Sequence, residues 1–161
     1  MIDATHLKAH RTAVSLLKGG LYPRRIGRTK GGLNSKLHAV CDGEGRPIIL
    51  LLSEGQMSDH RGAALLFDSL PNARVLLGDK GYDSDWLRAA LAGRGITACI
   101  PPLRHRKVQH VYDKQLYRQR HKVENVFARI KDWRRIAPRY DRCAHTFLSA
   151  ICIAATVCYW L

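Results

Sequence analysis

"SKLHAVCDGEGRPIILLLS" (residues 35–53) carries the clearest β signal in the chain. Residues 35–42 alternate in character, the period of a strand with one buried face. "GEGR" (43–46) supplies turn chemistry and "PIILLLS" (47–53) reads as a buried strand, so a hairpin is expected. Downstream, residues 58–70 open with Ser58-Asp59 and continue at helical spacing. "ARVLLGDKGYD" (73–83) is a short buried strand that runs out at Gly78-Asp79. Residues 84–95 read as a helix capped by Ser84, and "ITACIPP" (96–102) as a strand ended by prolines. A long helix is expected from about 114 to 135, and an apolar one from about 144. Upstream, "MIDAT" opens a first strand carrying Asp3, while residues 11–34, with Gly19-Gly20, Pro23 and Gly31-Gly32, read as loop. This order predicts an α/β fold, a mixed sheet flanked by helices.

The 161 residues suit a single domain over 1–161. Twenty-seven Lys and Arg against 13 Asp and Glu give a formal charge of +14, and residues 104–142 hold 13 of those cations with only four acids. Such clustering points to a polyanionic partner rather than to a merely soluble basic protein. Five cysteines without a CxxC pair read as reduced, buried thiols in a cytoplasmic protein. No signal peptide is read at the start of the sequence. The apolar tail (147–161) is shorter than the roughly 20 residues of a membrane span, so a core helix and no membrane association are expected.

Asp3 and Asp79 each follow apolar residues on or at the end of a strand, where α/β proteins collect their chemistry. An acid there loses solvation unless a cation meets it. For Asp79, a turn-former or helix cap is the plainer alternative. In "YRQRHKVENVFARIKDW" (117–133), Tyr117, Arg120, Glu124 and Lys131 fall within a stripe of about 60° along roughly 21 Å of helix. Leu116, Val123, Phe127 and Ile130 form an apolar face beside it, which places Glu124 at the border of the buried side. An i,i+4 ion pair with Arg120 accounts for the same spacing equally well.

Three carboxylates on two strands and a helix would suit Mg2+, a hard ion that takes oxygen ligands, with Mn2+ as a substitute. Two such ions can serve an in-line displacement at phosphorus. Asp3, Asp79 and Glu124 are therefore the candidate catalytic and metal-binding residues. Arg120 and Lys131 would neutralise phosphate, and Tyr117 would stack on or hydrogen-bond to nucleic acid. Arg24, Arg25, Arg28 and Lys30 in "PRRIGRTK" (23–30) are candidate phosphate contacts. Asp59-His60 reads as a helix cap with a surface histidine, and Trp86, Trp133 and Trp160 as packing anchors.

Tyr117-x2-Arg120-x3-Glu124-x6-Lys131 resembles the signature around the final acid of bacterial DDE insertion-sequence transposases. "IDATHLKAHR" (2–11), "GRTKGGLNSKLHAVCDGEGRP" (27–47), "GDKGYDSDWLRAAL" (78–91) and "VENVFARIKDWRRIAPRYDRCAHTFLSAICIAA" (123–155) resemble the insertion-sequence-five branch of the IS4-like group. The resemblance implies an RNase H-like fold and a DDE triad of Asp3, Asp79 and Glu124. It further implies Mg2+-dependent nicking at element ends and attack of a 3′-hydroxyl on target DNA. Tyr117, Arg120 and Lys131 would be accessory residues, and a homodimer would handle two ends of double-stranded DNA. Relatives usually carry a helical region ahead of the first acid, whereas here Met1 and Ile2 alone precede Asp3. The chain thus resembles the catalytic part, with an upstream-frame product as a further expected partner. A non-catalytic DNA-binding fragment that regulates a full-length enzyme is the alternative expectation.

Overall fold

The structure is a computed structural model that describes residues 1–15 and 23–161. The Gly19-Gly20 pair of the expected loop lies outside the described residues.

The predicted hairpin is present. Strand β3 (Gly32–Cys41) pairs antiparallel with β4 (Pro47–Glu54), setting Leu37 opposite Leu52. Asp42 Oδ1 accepts from the backbone N–H groups of Glu44 and Arg46, both at 2.9 Å, and holds the turn. Gly45 takes a φ of +88°, a left-handed conformation that strains any other residue. Strand β1 (Ile2–Lys8) pairs antiparallel with the other edge of β3, with Asp3 opposite Ala39. A short strand β2 (Gly27–Thr29), absent from the expected loop, pairs with the start of β3. Strands β5 (Val75–Leu77) and β6 (Thr97–Cys99) form a separate parallel pair. The single mixed sheet expected from the sequence is therefore two hydrogen-bonded units, one antiparallel and one parallel. Helix α2 (Asp85–Gly93) makes the crossover that a parallel pair requires.

Side chains of β3 alternate between two cores, as a pleated strand demands. Leu37, Ala39 and Cys41 pack with Val123, Phe127 and Ile130 of helix α4 (His121–Lys131) and with Phe147 and Ile151 of helix α5 (Ala144–Tyr159). Val40 and Ile2 face the other way, onto Ala63 and Leu66 of helix α1 (Asp59–Leu66) and onto Leu87 and Leu91 of α2. Asp3, paired with Ala39, shares the α4 side; Lys36 and His38 share the α1 side. β4 is less buried than its apolar run suggests, because it is an edge strand and Ile48 faces solvent.

The helix expected over 114–135 is broken and shorter. Helix α3 (Lys114–Tyr117) passes through a 3-10 turn (Arg118–Arg120) into α4, which stops at Lys131. Ser58 and Ser84 cap α1 and α2 as expected, through bonds to the N–H groups of Arg61 and Leu87. The tryptophans are not core anchors: all three are substantially exposed, Trp86 edge-on to Phe67 and Trp160 beneath the Arg46 guanidinium. All five cysteines are free, but only Cys41 and Cys99 are buried, and Cys152 is exposed. Among the described residues no helix is long and apolar enough to cross a membrane.

His38 has no exposed surface; its Nε2 lies 2.9 Å from Ser53 Oγ, and its ring fills the space a Cβ on Gly62 would need. Burial, reinforced by the Lys36 charge, pulls its pKa from the ordinary 6.5 down to about 4. The unfolded chain therefore binds the extra proton first. The contribution of neutral His38 to stability is intact above about pH 6.5 and is lost as pH falls through about 4. Between pH 7 and pH 4 the wild type should lose about 3 kcal/mol more stability than His38→Gln, measured by urea unfolding at each pH. Parallel pH profiles for the two proteins would contradict this.

Candidate active site

Arg120 joins elements from opposite ends of the chain. Its Nη1 donates to Asp3 Oδ2 at 2.7 Å, across 117 residues of sequence, and its Nη2 donates to Glu124 Oε1 one helical turn on. A guanidinium is a planar fork, so a single side chain can hold two carboxylates at a set angle. The local i,i+4 pair is thus present, and the same cation also reaches β1 through Asp3. Asp79 stands at the end of β5, where its Oδ1 accepts from Gly81 N–H at 2.7 Å and caps the 3-10 turn Lys80–Tyr82. Turn-forming and proximity to the other acids coincide as well, since the Asp79 charge acts on both Asp3 and Arg120.

Burial pushes the Asp3 carboxyl up to about 6, and repulsion from Asp79 adds to the rise. The Ala4 N–H, at 2.8 Å from Oδ1, and the Arg120 guanidinium act in the opposite sense. Burial works against the Arg120 charge, but the surrounding groups, Asp3 and Glu124 foremost and Asp79 among them, outweigh it and favour the charged form. Lys131, eleven residues along, turns back to β1 and donates to Thr5 Oγ1 at 2.6 Å. Tyr117 lies edge-on to Tyr112, ring centres 5.4 Å apart, with the Arg120 guanidinium 5.9 Å from its own ring. Asp3, Thr5, Glu124 and Lys131 line one shallow cleft. Glu124 is 53% exposed rather than at the border of the buried face, because that cleft is open beside it.

The basic loop divides. Arg24 donates to Val14 O at 2.7 Å, and Arg25 pairs with Glu54 at 3.0 Å, so both side chains have partners within the chain. Arg28 and Lys30 are exposed and share a shallow pocket with Arg11.

Three residues matter more than their sequence context suggests. Arg139 has no exposed surface: Nη1 donates to Ser35 Oγ at 2.5 Å, Nη2 to Arg24 O and Nε to Asp141 O, both at 2.8 Å. The Asp83 side chain is wholly buried and accepts from Arg88 Nε, Arg106 Nε and Leu103 N–H, which ties the segment after β6 to the turn after Asp79. Asp59, expected as a cap, leaves that task to Ser58 and pairs with Lys36 Nζ at 2.7 Å. Arg139 and Asp83 sit among ordinary polar neighbours, and only tertiary structure reveals their burial.

Among the described residues no three His, Cys, Asp or Glu side chains stand together as a ready metal-ligand set. Asp3 and Glu124 are linked through Arg120, while Asp79 accepts from Gly81 N–H. The donor chemistry nevertheless suits a hard divalent cation: Asp3, Asp79 and Glu124 offer only oxygen, and Asp3 and Glu124 already share one positive group.

Residues 1–160 match the family described as the transposase DDE domain, and the chain belongs to that family. Its relatives include the "putative transposase for insertion sequence element IS6501" of Brucella ovis, 32% identical over 130 residues, which are 80% of this chain and 99% of the relative. The "putative transposase for insertion sequence element IS402" of Burkholderia cepacia is 32% identical over 138 residues, covering 74% of this chain and 63% of that protein. No solved structure matches the chain.

Proposed function

We propose that this chain is the catalytic domain, spanning residues 1–161, of an insertion-sequence transposase of the insertion-sequence-five branch. Its reaction would be Mg2+-dependent nicking of double-stranded DNA at element ends, then strand transfer to target DNA. One observation carries the proposal: Arg120 draws Asp3 and Glu124 together from distant parts of the chain, beside the Asp79 turn. The antiparallel β4-β3-β1 sheet, the parallel β5-β6 pair and the packing of Gly78 near Ile2 support an RNase H-like fold.

Asp3, Asp79 and Glu124 would hold the divalent ions. When bound, such ions activate an attacking oxygen and stabilise the leaving one. The remaining work falls to the protein. Lys131 lines the acid cleft and Arg120 bridges Asp3 and Glu124 beside it, so both would neutralise a scissile phosphate there. Tyr117, half-buried against Tyr112, offers a ring edge to the DNA beside Arg120. Arg28 and Lys30 extend the cationic surface along the β2–β3 turn, while Arg24 and Arg25 act chiefly on the fold.

Incubation of the full chain with duplex DNA carrying the element's terminal repeats tests this reading. Nicked and joined products should form with Mg2+ or Mn2+ and vanish with a chelator. Salt-sensitive binding without any cleavage would instead identify the chain as a regulatory DNA-binding fragment. Cleavage without joining would leave a plain nuclease.

A further inference from the structure

On the α1 side of the sheet a second acid faces Asp79. A Cβ built on Gly81 would lie 2.8 Å from Asp79 Oδ1 and 2.9 Å from Asp59 Oδ2, so the two carboxylates flank one side-chain-free point. Asp59 is also bound to Lys36, whose Nζ stands 2.7 Å from Asp59 Oδ1 and 3.1 Å from Met57 O. The Lys36 side chain is only 10% exposed, so its charge depends on Asp59 for compensation. Tyr82 lies in the shared field of Asp59, Asp3 and Asp79, and its buried hydroxyl has no hydrogen-bond partner among the described residues.

We infer that Asp59 is a positioning residue for the acid cluster: it holds Lys36 away from Asp79. Without the Asp59 charge, the nearly buried ammonium group loses its carboxylate, and Asp79 is the acid that stands on the other side of Gly81 from Asp59. An Asp79 paired with Lys36 is lost as an oxygen donor to a divalent cation. Gly81 belongs to the same device, because any side chain there would separate the two carboxylates and displace the turn that carries Asp79. The inference rests on the proposed role of Asp79 as a metal-binding acid.

The test titrates Mn2+ into the full chain and follows free Mn2+ by its electron paramagnetic resonance signal, with thermal unfolding recorded for each variant. Asp59→Asn, nearly isosteric, should weaken Mn2+ binding by about 10- to 100-fold, the usual effect of losing an outer partner of a metal ligand. Adding Lys36→Met to Asp59→Asn should return the affinity close to wild type, and Lys36→Met alone should not weaken it. Unchanged affinity in Asp59→Asn, or an equally weak double variant, would overturn the inference. Asp79→Asn separates the two levels. If it binds Mn2+ as tightly as wild type, the metal-binding role of Asp79 falls, and this proposal falls with it.

Discussion

Glu124→Gln should reduce strand cleavage by at least about a thousandfold, equivalent to roughly 4 kcal/mol in the barrier, with little change in stability. The substitution preserves shape and removes one negative charge. Glutamine retains a carbonyl oxygen, so it can still accept from Arg120, and Asp3 keeps its own bond to that guanidinium at 2.7 Å. The lost i,i+4 pair involves a side chain that is 53% exposed and contributes only a few tenths of a kcal/mol to the helix. Chemistry would suffer far more, since a neutral amide is a poor ligand for a hard cation and leaves the Arg120 charge under-compensated. Cleavage of labelled terminal-repeat DNA, alongside unfolding curves, separates the two effects. Activity within tenfold of wild type would remove Glu124 from the proposed triad.

The largest effect on stability is expected from Arg139→Met, at about 3–5 kcal/mol. Methionine fills much of the same volume, so the loss is one of polar partners rather than of packing. Ser35 Oγ and the carbonyl oxygens of Arg24 and Asp141 would each lose a charged donor. The guanidinium also lies 4.6 Å from the centre of the Phe147 ring, a cationic contact that a thioether does not reproduce. Burial lowers the Arg139 pKa to about 10, so it remains charged at neutral pH and its hydrogen bonds are charge-assisted. Through these bonds one side chain fastens the segment that precedes α5 to both β3 and the segment leading into β2. Urea unfolding of the two proteins measures the difference, and a loss below about 1 kcal/mol would contradict this account.

Much of this architecture was legible in the sequence where local chemistry and tertiary structure agree. The 35–53 hairpin combines strand alternation with a turn that only glycine accommodates at position 45. Ser58 and Ser84 announce α1 and α2 because a hydroxyl at that position satisfies an orphan N–H. The spacing of Tyr117, Arg120, Glu124 and Lys131 reads as one stripe of a single helix. In the structure Arg120 and Lys131 reach β1, through Asp3 and Thr5, while Tyr117 lies before the 3-10 turn and Glu124 is largely exposed. Periodicity did not disclose the 3-10 turn at Arg118–Arg120, since three such residues barely disturb a pattern of 3.6. The three-residue β2 was likewise too short for alternation to register. Partners were the least visible feature. Nothing near Asp59 in sequence signals Lys36, and nothing near Arg139 signals Ser35, because each contact is made by a strand remote in the chain.

The bond between Arg120 and Asp3 spans most of the polypeptide, and this separation orders events during synthesis. A nascent chain that has not yet reached Arg120 contains the first and second acids but neither the bridging cation nor the third acid. Interrupted translation or proteolytic clipping ahead of Arg120 therefore yields products that lack both the bridging cation and Glu124. On the proposed function, a partial chain would lack the means to cut DNA until the last carboxylate of the proposed triad has been made.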